Sequence, residues 1–164
     1  TPMLVQLYIF YLFVPEMSPA IKALDLPVYF YITLSLVINS SAYIAEIIRS
    51  GILSIDKGQM EAGRSLGFTY SQTMMRIILP QAIKNILPAL GNEFIVMIKE
   101  TSVAGFITVF DLTRAARAIV ADHYDAFVPY LVLAAIYLVL VMIFTYFLNL
   151  LEKSEDSDLL SQSR

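Results

Sequence analysis

Three carboxylates lie inside stretches that are otherwise apolar, and they are the side chains best able to do chemistry. Glu46 sits in VYFYITLSLVINSSAYIAEII (28–48), seven residues after Asn39, so the two share a helix face. Glu93 and Glu100 are also seven apart, in ILPALGNEFIVMIKETSVAGFITVF (86–110), with Asn92 beside the first and Lys99 offset from the second. Amides and carboxylates repeated on one face at membrane depth could line a hydrated path and attract an ammonium or another cation. They could equally close salt bridges between neighbouring helices. For Glu46 the competing reading is a pair with Arg49, one turn away near an interface, where a long side chain can reach water.

Other chemistry is excluded by what the chain lacks. It has no Cys, and therefore no disulfide, thiol nucleophile or Cys-ligated zinc; its one His, His123, leaves no partner for a two-His metal site. His123 stands between Asp122 and Asp125 and reads as a solvated loop residue. No G-x-x-x-x-G-K-[ST] loop is present, so the chain does not bind ATP by that route. No catalytic residue, metal or cofactor is expected. A formal charge of −3 gives no basic surface for nucleic acid.

The elements that would position these residues follow from composition. Of 164 residues, 58% are hydrophobic and 15% charged, against roughly 25% charged in an ordinary soluble domain. This is a membrane protein, and the fold class is an all-α, polytopic helical bundle. Segments 28–48, 86–110 and 128–151 reach the roughly 20 residues that a span requires. The second is a poor lipid-facing helix because of Glu93, Lys99 and Glu100. The third carries no charge and no inward polar stripe, which places it at the periphery. The run 3–14 is only part of a span and reads as the latter part of a helix that begins before Thr1. Gly91 and Gly105 favour close helix packing. Several of the tyrosines suit a membrane-interface belt.

Segment 49–85 carries Arg49, Lys57, Arg64, Arg76 and Lys84 against Asp56 and Glu61, a net +3, while 15–27 and 111–127 are each −1. The excess of Lys and Arg assigns 49–85 to the cytoplasm and the other two outside. The tail 152–164 is then cytoplasmic by topology, and its Ser, Asp and Glu content predicts fraying. Residues 1–151 form the membrane domain.

The cytoplasmic segment carries helix punctuation. Ser54 or Asp56 can cap a short helix that ends at Gly67. Thr69 and Gln72 fit a capping box. The following helix meets Pro80, which kinks or ends it, and Pro88 repeats the break two turns on. Met60, Gly63 and Gly67 form a stripe of small residues with one Met, beside Glu61 and Arg64. That stripe suits either docking on another protein or packing on the chain's own bundle.

The wording of this segment resembles the EAA loop of ATP-binding-cassette importer permeases: Glu61-Ala62-Gly63, then Gly67, then Ile77 and Leu79-Pro80. Gly63 stands where that family often has Ala. TPMLVQLYIFYLFVP, INSSAYIAEIIRSGILSIDKGQMEAGRSLGF, ILPQAIKNILPALGNEF and IKETSVAGFI resemble, in order, the polar amino acid (histidine/glutamine-type) subfamily. The resemblance implies a partial type I, MetI-like transmembrane domain, with further helices before Thr-Pro-x-x-Val-Gln. It implies that Glu61, Ala62, Gly63 and Gly67 belong to a coupling helix seated in an ATPase. It also implies ABC ATPase subunits, a second permease subunit (identical or homologous), and an external binding protein or fused domain that delivers a small polar amino acid. The expected location is the bacterial inner membrane, among lipid. Another small polar or cationic solute, an ion-coupled transporter or channel, and a scaffolding subunit are the remaining readings.

Overall fold

In a computed structural model, which describes residues 2–107 and 109–162, every regular element is helical. Helix α1 (Met3–Met17) has a middle turn, Ile9–Phe13, widened to π geometry. A short α2 (Pro19–Ala23) begins at Ser18, whose hydroxyl accepts the Ala20 N–H. Then come α3 (Val28–Leu53), α4 (Lys57–Ser65) and α5 (Tyr70–Thr73). Helix α5 continues through a π turn, Met74–Ile78, into α6 (Leu79–Glu100), which tightens to a 3₁₀ turn, Thr101–Phe106. Helices α7 (Leu112–His123) and α8 (Phe127–Gln162) complete the order.

Two helices among the described residues are long and apolar enough to cross a membrane: Val28–Leu53, with mean hydropathy 1.4, and Phe127–Leu151, with 2.7. No residue of Phe127–Leu151 is buried within the chain. A helix apolar on all sides satisfies its backbone internally and leaves its side chains for apolar surroundings.

Three expectations need correction. The segment 86–110 is not one span, because α6 starts at Leu79 and stops at Glu100. There the Thr101 hydroxyl turns back onto the Ile98 carbonyl at 2.6 Å. The tighter turn that follows carries Ala104 into the core. Neither Pro80 nor Pro88 ends a helix: Pro88 lies inside α6, and Pro80 follows the π turn at its start. The widened turn just before Pro80 accommodates its ring. The tail is helical as far as Gln162 rather than frayed, since neither Gly nor Pro occurs after Pro129 to stop α8; Ser163 and Arg164 lie outside the described residues.

The chain divides into two compact units. The first comprises residues 1–40 and 95–147. Its core is Leu7, Ile32, Ala104, Ile107 and Val109, with Tyr8, Tyr11, Val28, Leu36 and Val103 packed around them. The second comprises residues 41–94 and 148–164. Within it, Gly51 of α3 meets Ile86 and Ala82 of α6 so closely that any Cβ would collide with Ile86, and a Cβ on Gly91 would lie 2.9 Å from Leu148. Small residues thus set the helix approach.

Candidate functional site

In the second unit, the positively charged segment forms a tightly punctuated helical hairpin. Asp56, not Ser54, caps α4: its Oδ1 accepts the Gly58 N–H at 2.6 Å. Ser54 instead donates to the Gly51 carbonyl at 2.8 Å and accepts from Asn85 Nδ2 at 2.9 Å, tying the end of α3 to α6. At the other end of α4 the Phe68 N–H reaches the Gly63 carbonyl at 3.2 Å and the Gly67 N–H reaches Arg64 at 3.0 Å. This paired closure demands a left-handed residue, and Gly67 supplies it at φ +86°. The capping box forms as expected: Thr69 N–H donates to Gln72 Oε1 at 2.9 Å, and Gln72 N–H to Thr69 Oγ1 at 3.3 Å.

The hairpin also decides between the two readings of the Met60/Gly63/Gly67 stripe at one position. Gly63 is buried against Thr73, where a Cβ would lie 2.5 Å from Thr73 Cγ2 and 3.0 Å from Ile77 Cδ1. Gly63 therefore packs against its own chain at this position. Glu61, Ala62, Arg64 and Gly67 are exposed. So are the apolar side chains of Leu66, Tyr70 and Met75, which the stripe did not single out; Leu66 stands 78% exposed.

The polar residues within the long helices separate into distinct environments. In the first unit, Asn39 is buried and donates its Nδ2 to Glu100 Oε2 at 3.0 Å, joining α3 to α6 across 61 residues of sequence. A charge-assisted bond of this kind is stronger than one between neutral groups. Ser40, also buried, follows Asn39. In the second unit, Glu46 is exposed and held by Arg49, with Nε at 2.8 Å from Oε2 and Nη2 on the other oxygen. The pair with Arg49 is therefore formed. Glu93 is half-buried on α6 with its Oε1 shielded from solvent, while Asn92 is exposed. His123 ends α7 rather than lying in the loop, with its ring 3.2 Å from the Ile119 carbonyl, and Asp125 accepts the Phe127 N–H at the start of α8.

One arrangement was not among the sequence-based expectations. A cavity of about 550 Å³ in the first unit is lined by Tyr8 and Tyr11 of α1, Phe106 and Arg114 and Arg117 of α7, among others. The two arginines lie at i, i+3, which is a detectable signal. The net −1 of segment 111–127 concealed it.

A family model described as "Binding-protein-dependent transport system inner membrane component" matches residues 1–156. The chain is 43% identical over 152 residues to the probable glutamine ABC transporter permease protein GlnM of Bacillus subtilis (strain 168), covering 93% of this chain and 68% of that protein. It is 37% identical over 158 residues to the arginine transport system permease protein ArtQ of the same organism, covering 96% and 70%. A solved structure described as "Crystal structure of an amino acid ABC transporter with histidines" superposes with a TM-score of 0.83 at 48% identity, over 94% of this chain and 70% of that one.

Proposed function

The chain belongs to the family of binding-protein-dependent transport system inner membrane components, and on that premise we propose that it is the membrane-spanning permease subunit of an ATP-driven amino acid importer. It is a transport component rather than an enzyme. ATP is hydrolysed by separate ABC ATPase subunits, and an external binding protein or fused domain delivers a small polar amino acid. A second permease subunit, identical or homologous, completes the pore. The chain is multi-pass in the bacterial inner membrane, with segment 49–85 inside and lipid around α8.

The observation that carries this reading is the hairpin of α4 and α5. A coupling element must move as a rigid body when the ATPase dimer closes, or the motion is lost in local bending. Asp56, the closure at Gly67, the capping box and the contact of Gly63 with Thr73 supply that rigidity. Around them, exposed Glu61, Ala62, Arg64 and Gly67, with Leu66 and Met75, offer a mixed charged and apolar face suited to a protein cleft. Gly63 serves this element by internal packing. The bond from Asn39 to Glu100 joins two helices that would line the path, and Asn92 and Glu93 follow along α6. Glu46, held by Arg49, anchors the inner end of α3.

The test is uptake into membrane vesicles that contain the complete transporter. Amino acid uptake should require ATP and the co-expressed ATPase. Glu61→Lys should abolish uptake while the complex still inserts and binds nucleotide. Flux driven by an ion gradient without nucleotide would instead establish a channel or secondary transporter.

A further inference from the structure

We propose that the cavity walled by Tyr8, Tyr11, Phe106, Arg114 and Arg117 binds the carboxylate group of a small solute on the outer side of the membrane. The proposal rests on the importer reading and adds to it a reception point for the substrate's carboxylate end. At about 550 Å³ the cavity lies within the usual range for small-molecule sites and has room for an amino acid.

Its charge is unbalanced. Arg117 Nη1 donates to the Gly105 carbonyl at 3.3 Å, and its guanidinium carbon lies 4.9 Å from the centre of the Phe106 ring. Arg114 Nη1 donates to the Ile107 carbonyl at 3.4 Å. Both partners are neutral. Among the described residues the ion pairs are Lys22 with Glu16 and Arg49 with Glu46, so neither cavity arginine has a carboxylate within ion-pair distance. The adjacent acid, Asp111, is turned into the helix cap, where Oδ1 accepts the Arg114 N–H at 2.8 Å.

Two like charges one turn apart on a helix repel each other. An anion entering the cavity would remove that penalty. Each guanidinium retains donors in a planar fork, the geometry that suits a planar carboxylate. The backbone keeps the site close: a Cβ on Gly105 would strike Asp111 and lie 2.9 Å from Arg114 N, so the chain at Phe106 sits against the start of α7. Helix α7 lies within, and the end of α1 runs into, the two segments whose charge bias assigns them to the exterior.

The experiment uses the complete transporter in nanodiscs without ATP or binding protein. Radiolabelled L-glutamine, L-arginine and L-histidine are the probes, and 4-aminobutanamide, agmatine and histamine, their decarboxylated counterparts, are the competitors. We expect at least one amino acid to bind, its amine to compete at least about tenfold less well, and Arg114→Gln or Arg117→Gln to weaken binding by about tenfold or more. Arg117→Lys, which keeps the charge without the fork, should fall between. Competition in the unaltered protein needs no variant, so a folding defect cannot obscure the result. Absence of binding, equal competition by the amine, or wild-type affinity in both Gln variants overturns the proposal. So does a phospholipid that co-purifies through these arginines while amino acid binding is unchanged. ATP-dependent uptake by the wild-type complex, measured in parallel, reports separately on the importer reading.

Discussion

The most informative perturbation is a single methyl group at Gly63. Gly63→Ala places a Cβ 2.5 Å from Thr73 Cγ2 and 3.0 Å from both Thr73 Oγ1 and Ile77 Cδ1. Thr73 cannot easily yield, because it is fully buried and its hydroxyl donates to the Thr69 carbonyl at 3.0 Å. Overpacking of this kind costs about 1–3 kcal/mol. Replacing Gly by Ala inside a helix returns about 1 kcal/mol through propensity. The net expectation is a loss of up to about 2 kcal/mol in the closure of α4 on α5. Thr73→Ser removes Cγ2, the nearest obstacle, and keeps the hydroxyl bond, so Gly63→Ala/Thr73→Ser should recover most of the loss. Hydrogen exchange of the Gly67 and Phe68 amides, which close onto Arg64 and Gly63, reads the effect directly. Exchange should accelerate by up to about thirtyfold in the single variant and return toward wild type in the double. ATPase stimulation by substrate should follow the same order. If Gly63→Ala exchanges as slowly as wild type, or if Thr73→Ser fails to suppress it, the internal contact does not hold the hairpin.

Further predictions isolate the remaining parts. A Cβ at Gly67 would meet no atom within 4 Å, but the residue sits at φ +86°, so Gly67→Ala should cost about 1–2 kcal/mol through the backbone alone, read as faster exchange at Phe68. Gly67→Asn, which tolerates that region better, should cost less. Thr69→Val deletes the acceptor for the Gln72 N–H and should destabilise the start of α5 by about 1 kcal/mol, seen as faster exchange at Gln72. Asn39→Leu leaves Glu100 without its donor and should lower thermal stability of the complex, with a loss of about 1.5–3 kcal/mol. Pairing it with Glu100→Gln should restore part of that loss; unchanged melting in Asn39→Leu would show that the bond carries no weight.

The local features of the hairpin were legible because caps and glycine closures are decided by neighbours in sequence. Thr69 and Gln72 satisfy each other within one turn, and Gly67 follows the last helical residues it closes. Choosing Asp56 over Ser54 needed the fold, since Ser54 is engaged by Asn85, which is distant in sequence. The prolines misled for a related reason: a proline predicts a lost hydrogen bond, but not the π turn that accommodates it. The span assigned to 86–110 failed because its apolar run was counted as one continuous helix, whereas several residues after Glu100 leave the helix and enter a core with α1 and α3.

The sequence alone determined the solvent, the helical class, the charge bias of the loops and the helix punctuation of segment 49–85, because composition and short-range spacing are properties of a linear chain. Partners belonged to the tertiary structure. Which residue Asn39 meets, whether Glu46 turns to Arg49, which way Gly63 faces, and that two arginines and two tyrosines share one cavity are long-range or rotameric choices. They are settled by close packing, in which a side chain's neighbours depend on every element around it.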